Sequence, residues 1–246
     1  MNSALPAPAA LAASGLVKRY GELVALAGVD VAIRAGESVA VMGASGSGKT
    51  TLLHCLAAVL APDAGSVRLW VPGGAPLELV GMSEDERSAV RRTHLGFVFQ
   101  DHLLLPELTA LENAALPLLL LGHPRGSAEA HAQAWLAALG LAGMEDRRIG
   151  QLSGGQAQRV AIARAQVTGA PIVFADEPTG SLDSTTSSEV LVALLRATTG
   201  QGRSLVVVTH DPDVAARCDR VLHMRDGRIV GESLREAAPQ FAEGAR

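Results

Sequence analysis

The chain is 246 residues long, 48% hydrophobic and 19% charged, enough to bury the core of one large domain or two small ones. Its formal net charge of −4 offers no excess of cations for a nucleic-acid backbone, so nucleic acid is not the expected partner. The two cysteines, Cys55 and Cys218, lie far apart without metal-ligand spacing, and their apolar helical contexts point to buried thiols in a reducing compartment.

Met1 to Gly15 is rich in Ala and Pro without a basic start, the composition of a flexible tail and not of a secretory signal. Leu16 to Ala40 alternates apolar and polar residues with Gly at the bends, which predicts hairpin strands, and Ser38 to Met42 reads as a buried strand ending at Gly43. After the glycine-rich loop, "KTTLLHCLAAVL" has helical composition and is expected to stop at Pro62. Ser83 to Gly140 reads as mainly helical, with capping boxes at Ser83/Glu86 and Thr109/Glu112 and a strand-like run "LGFVF" between them. The apolar run Leu116 to Leu121 holds Pro117 and falls far short of the roughly 20 residues needed to cross a bilayer. From Pro171 onward apolar strand and helix alternate, "PIVFA", "STTSSEVLVALLRAT", "SLVVVTH", as in a parallel sheet covered on both faces.

Three stretches carry chemistry. Gly43-Ala-Ser-Gly-Ser-Gly48-Lys49-Thr50 fits the P-loop pattern, in which backbone N–H groups at a helix start close around a β-phosphate. Lys49 would reach the β- and γ-phosphates and Thr50 would ligate Mg²⁺. "IVFADEP", Ile172 to Pro178, delivers Asp176 and Glu177 at a strand end, where alternation sends them in different directions. One can serve Mg²⁺ while the other polarises an attacking water; the plainer reading is a pair of solvated turn acids. "LSGGQ", Leu152 to Gln156, leads into "AQRVAIARAQV", so Ser153, Gly154 and Gly155 form either a second anion site or an ordinary Ser-capped helix start.

These motifs, together with Gln100 after an apolar run and His210 in "VVVTHD", occur in one order over about residues 14–232, and the set resembles the ATP-binding-cassette ATPases. The resemblance implies an α/β fold: a P-loop parallel-sheet core with an N-terminal antiparallel β subdomain and an inserted helical subdomain over about 101–168. Tails are expected at 1–14 and 233–246. It implies that Tyr20 stacks on adenine and that Gly43, Ser45, Gly46, Ser47, Gly48, Lys49, Thr50 and Thr51 hold the phosphates of ATP. Gln100 would touch Mg²⁺ or the water and sense a membrane partner, and Asp176 would hold Mg²⁺ through its water shell. Glu177 would be the general base, and His210 would contact the γ-phosphate. Ser153, Gly154, Gly155 and Gln156 would bind the γ-phosphate of ATP held by a second copy, and Asp183 would cross the dimer interface. Ala157 and Gln166 depart from the family's usual residue types, which is expected to alter helix packing and to spare hydrolysis.

The expected task follows from the same resemblance: a homodimeric ATPase, cytoplasmic and peripheral on the inner face of the cell membrane, beneath a separately encoded permease. "LGFVFQDHLLLPELTALENAALPLLL" and "DRVLHMRDGRIVGE" resemble the ATPases of lipoprotein-releasing and macrolide-export type. The short sequence after Gly231 leaves no room for the regulatory domain of several importer ATPases, which favours export or force transmission. The alternatives are the ATPase of an importer and a soluble cassette protein without a transport role. A P-loop small-molecule kinase would have no use for the "LSGGQ" helix.

Overall fold

A computed structural model describes residues 9–235. A four-stranded antiparallel sheet has the order β2-β1-β4-β5 and a six-stranded, mostly parallel sheet the order β10-β9-β3-β8-β7-β6. The first comprises β1 (Ala9–Tyr20), β2 (Leu23–Arg34), β4 (Ala64–Leu69) and β5 (Leu77–Glu78). The second comprises β3 (Ser38–Met42), β6 (Leu95–Phe99), β7 (Ile172–Asp176), β8 (Ser204–Val208), β9 (Arg220–Arg225) and β10 (Arg228–Leu234); β10 alone runs antiparallel to its neighbour. The helices are α1 (Lys49–Leu56), α2 (Glu84–His94), α3 (Ala110–Leu120), α4 (Arg125–Ala138), α5 (Gly154–Gln166), α6 (Ser184–Thr198) and α7 (Pro212–Ala215).

Strand alternation builds two apolar layers from one sheet. Val39, Val41, Ile172, Phe174, Val206 and Val208 face α1 and the antiparallel sheet. Ala40, Val173, Ala175, Leu205 and Val207 face the layer that holds Val160 and Ile162 of α5 and Leu194 of α6. Truncating the fully buried Phe174 to alanine would cost about 3–5 kcal/mol.

Several expectations are corrected. The tail does not extend to residue 14: Leu11 and Ala13 are buried and pair with β2 and β4, because small apolar residues at alternate positions pack on a pleated sheet as well as they fill a linker. Met1 to Pro8 and residues 236–246 lie outside the described residues, and Ser233 and Leu234 belong to β10. Helix α1 stops at Leu56, well before Pro62. Ala58 takes φ 54, and the N–H groups of Val59 and Leu60 both close on the His54 carbonyl, which turns the chain out of the helix. β4 and β5 were not anticipated: the signal of β4 is only the short alternation of buried Val67 and Leu69 about exposed Arg68, and β5 is two residues long. Both cysteines are free and buried, Cys218 just past α7 and not within a helix. Burial pushes the thiol pKa values up, to about 11 for Cys55 and about 12 for Cys218, so neither is a thiolate near neutrality.

The parallel topology sets the site. β3, β6, β7 and β8 all end on the same edge of the sheet, so the loops beginning at Gly43, Gln100, Glu177 and Thr209 emerge together, the usual place for a ligand on an open α/β sheet.

Candidate functional site

The loop between β3 and α1 runs against neighbouring backbone so closely that two of its positions must be glycine. A Cβ on Gly43 would stand 2.3 Å from the Met224 carbonyl oxygen, and one on Gly48, at φ 99, would stand 2.4 Å from that of Ala25. Gly48 caps α1 without a side-chain hydrogen bond, leaving the helix's first N–H groups and its positive dipole end for an anion. Lys49 arches over the loop, its Nζ donating to the carbonyls of Gly43 at 2.8 Å and Ala44 at 3.0 Å. Ser47 Oγ is buried with no partner among the described residues.

Tyr20, Ser45, Gly46, Gly48, Lys49, Thr50 and Thr51 line one cleft of about 430 Å³ together with Glu177 and His210. Tyr20 ends β1 and is half exposed at 51%, with Lys18 Nζ 5.9 Å from its ring centroid. Its face is open to a flat ligand.

Thr50, Gln100, Asp176 and Glu177 share a second cavity of about 290 Å³. Asp176 ends β7 with Oδ1 buried and without a partner among the described residues. Burial, the largest cause, holds its carboxyl above the usual carboxylate range, and the charge of His54, then the Thr50 hydroxyl beside it, partly offset this. A carboxylate oxygen, a hydroxyl and an amide around one polar cavity are the donor set of a hard divalent cation, which would reverse the burial penalty, so the residues fit Mg²⁺. Gln100 is packed against Gly180, where an added Cβ would be 3.2 Å from the amide carbon.

Glu177 departs from the strand geometry expected of it. Its φ is 45, a left-handed conformation that side-chain-bearing residues rarely hold. Its N–H donates to the Val208 carbonyl at 2.9 Å and its own carbonyl accepts from Gly180 N–H at 3.0 Å. This turn, and not alternation along β7, separates its side chain from that of Asp176. Glu177 Oε1 lies 2.9 Å from Nδ1 of His210. That hydrogen bond, followed by the carboxylate's charge, raises the His210 pKa above the ordinary histidine value.

Ser153, Gly154, Gly155 and Gln156 do not line the cleft. Ser153 N-caps α5, its Oγ accepting from Gln156 N–H at 3.3 Å while Gln156 Oε1 accepts from Ser153 N–H at 2.9 Å. The helix start is Ser-capped, and its Ser153 and Gly154 remain exposed. Asp183 N-caps α6 through the N–H groups of Thr185 and Thr186, at 3.1 and 3.0 Å. The Thr186 bonds draw its pKa down.

Three residues were not singled out from sequence. Arg164 of α5 donates to the carbonyls of Leu103 and His102 at 2.6 and 2.7 Å, His102 Nε2 lies 2.9 Å from the Gly154 carbonyl oxygen, and Gln158 reaches the carbonyls of Phe99 and Pro178. The available signal was a polar residue inside the buried stripe of α5. Gln166, noted from sequence, lies on that same helix, fully buried and bonded to Thr198 Oγ1 at 2.6 Å and to Arg203 at 2.7 Å. Ala157 is buried as well. On the outer surface, Val59, Leu95, Phe97, Leu103 and Leu120 line an apolar groove of about 440 Å³ edged by Arg91, Arg92 and Arg164.

Comparison with known proteins gives concordant matches. The profile of the family described as "ABC transporter" matches residues 26–180. The lipoprotein-releasing system ATP-binding protein LolD of Bordetella pertussis is 47% identical over 224 residues, 89% of this chain and 95% of the relative. The macrolide export ATP-binding/permease protein MacB of Nitrosomonas europaea is 45% identical over 230 residues, 92% of this chain but 34% of the larger relative. Among solved structures, the dimeric bacterial ABC transporter cassette MJ0796 superposes with a TM-score of 0.81 at 36% identity, covering 93% of this chain and 100% of that one. The dimeric post-hydrolysis state of MJ0796 bound to ADP and Pi gives the same TM-score at 35% identity and the same coverage.

Proposed function

The chain belongs to the ABC transporter family as an ATPase subunit, and from that premise we propose that it hydrolyses ATP in composite sites, each formed by two copies, to drive a permease of lipoprotein-release or macrolide-export type. The observation that carries the reading is the separation of two helix starts, at Gly48 and Ser153, each suited to an anion. The Gly48 start opens into the cleft and the Ser153 start lies outside it, exposed. A second copy bringing its Ser153 to Gln156 over the cleft completes the ring of donors around a γ-phosphate.

Within that frame the chain's groups divide the work. Tyr20 stacks on the adenine, and the N–H groups of residues 43–51 and Lys49 hold the phosphates of the substrate ATP. Lys49 exchanges two loop carbonyls for phosphate oxygens, so its charge moves from neutral to charged partners. Thr50, Gln100 and Asp176 would hold Mg²⁺, which when bound neutralises charge on the phosphates. Glu177 takes the proton of the attacking water, and His210, bonded to Oε1, orients that carboxylate and reaches the γ-phosphate. Asp183, at the start of α6, faces the second copy.

The names of the relatives, lipoprotein release and macrolide export, supply the transport class. No helix among the described residues is long and apolar enough to cross a membrane, which fits an ATPase held on the cytoplasmic face by its permease. The apolar groove edged by Arg91, Arg92 and Arg164 suits a short apolar permease segment carrying an acidic residue. Copurification after mild detergent extraction tests this. An integral membrane protein recovered with the tagged chain, and lost on Leu103→Asp, supports the reading; recovery of no such protein counts against it.

A further inference from the structure

Gln158 lies on α5 but is directed away from solvent, fully buried. Its Nε2 donates to the Phe99 carbonyl at 3.1 Å and to the Pro178 carbonyl at 2.6 Å, while Oε1 has no partner among the described residues. These two carbonyls have particular addresses. Phe99 ends β6 and immediately precedes Gln100, and Pro178 immediately follows Glu177. A single amide nitrogen thus ties the helix that begins at Ser153 to the peptide units beside Glu177, assigned to the attacking water, and Gln100, assigned to Mg²⁺.

The orphaned oxygen shows which half of the amide the position uses. A methionine of similar length would fill the space without burying an unpaired acceptor, so packing alone does not account for glutamine here. What methionine would lose is the donor, leaving the Phe99 and Pro178 carbonyls without it. Glu177 also needs support: its φ of 45 persists only where surrounding contacts hold it. Val208 and Gly180 hold its own peptide groups, and Gln158 holds the next one from α5. Gln166, eight positions further along the same helix, is a contrasting case. Both ends of its amide are bonded, to Thr198 and Arg203, and none of its partners adjoins the cleft.

We propose that Gln158 is a positioning residue for hydrolysis: it couples the seating of α5 to the strained Glu177–Pro178 turn and to the start of the Gln100 loop. The Glu177 carboxylate then stands at its working angle while α5 is docked on β6 and β7, and a shift of α5 is felt at both reacting-side groups. This rests on the assignment of Glu177 as the general base.

The test is steady-state ATPase kinetics, ATP-analogue binding and thermal melting of the full-length chain carrying Gln158→Met or Gln158→Asn, with Gln166→Met as the packing control. Misplacement of a catalytic group by about 1 Å costs up to about 100-fold. Gln158→Met is therefore expected to lower kcat by about 10-fold or more while KM for ATP stays within about twofold. Its melting temperature is expected to fall no further than that of Gln166→Met. Gln158→Asn, which reaches at most one carbonyl, is expected in between, and it carries the test by the same criterion if Gln158→Met does not fold. A kcat within about twofold of the parent, or an equal kcat loss in Gln166→Met, overturns the proposal. Glu177→Gln measured alongside separates the two claims. Parental turnover in Glu177→Gln removes the base assignment, whereas an inactive Glu177→Gln beside a fully active Gln158→Met removes only the role of Gln158.

Discussion

His210 Nδ1 and Glu177 Oε1 stand 2.9 Å apart, a contact between the loops that leave the neighbouring strands β8 and β7. It leaves Glu177 one carboxylate oxygen for a water and fixes the direction of the other. A carboxylate oriented in this way beside a P-loop has the geometry of a general base.

Glu177→Gln removes the proton acceptor while keeping shape. Loss of general-base catalysis is worth about 10²–10⁴-fold, so kcat is expected to fall by that order while ATP binding persists. The protein should accumulate as an ATP-bound dimer, read by size-exclusion chromatography with nucleotide analysis of the peak. Turnover at the parental rate would remove Glu177 from the mechanism.

The same pair predicts a titration. The bond from Glu177 raises the His210 pKa, so the protonated ring persists to higher pH than an ordinary histidine. By linkage, the stabilisation is fully present below the unfolded-state pKa and is lost as pH rises through the raised folded value. The ring is 73% exposed, so the effect on global stability is small and the ring itself is the thing to watch. NMR titration should show His210 above the ordinary value in the parent and displaced downward in Glu177→Gln; an unchanged titration would contradict the contact.

Gly155 carries a packing prediction separate from any anion. A Cβ there would lie 2.4 Å from Thr186 Cγ2 on α6, and overpacking of this kind costs about 1–3 kcal/mol. Gly155→Ala should lower the melting temperature, and adding Thr186→Ala should restore most of the loss. Additive losses in the double variant would show that the two helices are not in that contact.

Much of the site was legible because its signals are local. The glycine loop, the strand Ser38–Met42 and the Ser153 cap each lie within a few consecutive residues, and the helix or strand around them follows from composition. The start of β1 was not, since Ala9 to Ser14 has the composition of a linker and becomes a strand only by pairing with β2 and β4. The divergence of Glu177 from Asp176 was legible but its cause was not, for a related reason: alternation holds along a strand, and the chain leaves β7 through a left-handed residue. Gln158 was invisible because its partners lie 59 and 20 positions away, so its role exists only once β6, β7 and α5 are assembled.

The central claim is that each ATP is held between the P-loop of one copy and the Ser153 helix of another. Lys49→Ala disables the first half and Ser153→Arg the second, so each variant alone forms dimers with no intact site. A mixed dimer regains one: the P-loop of the Ser153→Arg chain facing the Ser153 helix of the Lys49→Ala chain. ATPase activity measured on the two variants separately and after mixing is the most direct test. Activity absent from each and regained in the mixture is the predicted result; full hydrolysis by Ser153→Arg alone, as a monomer, would contradict it.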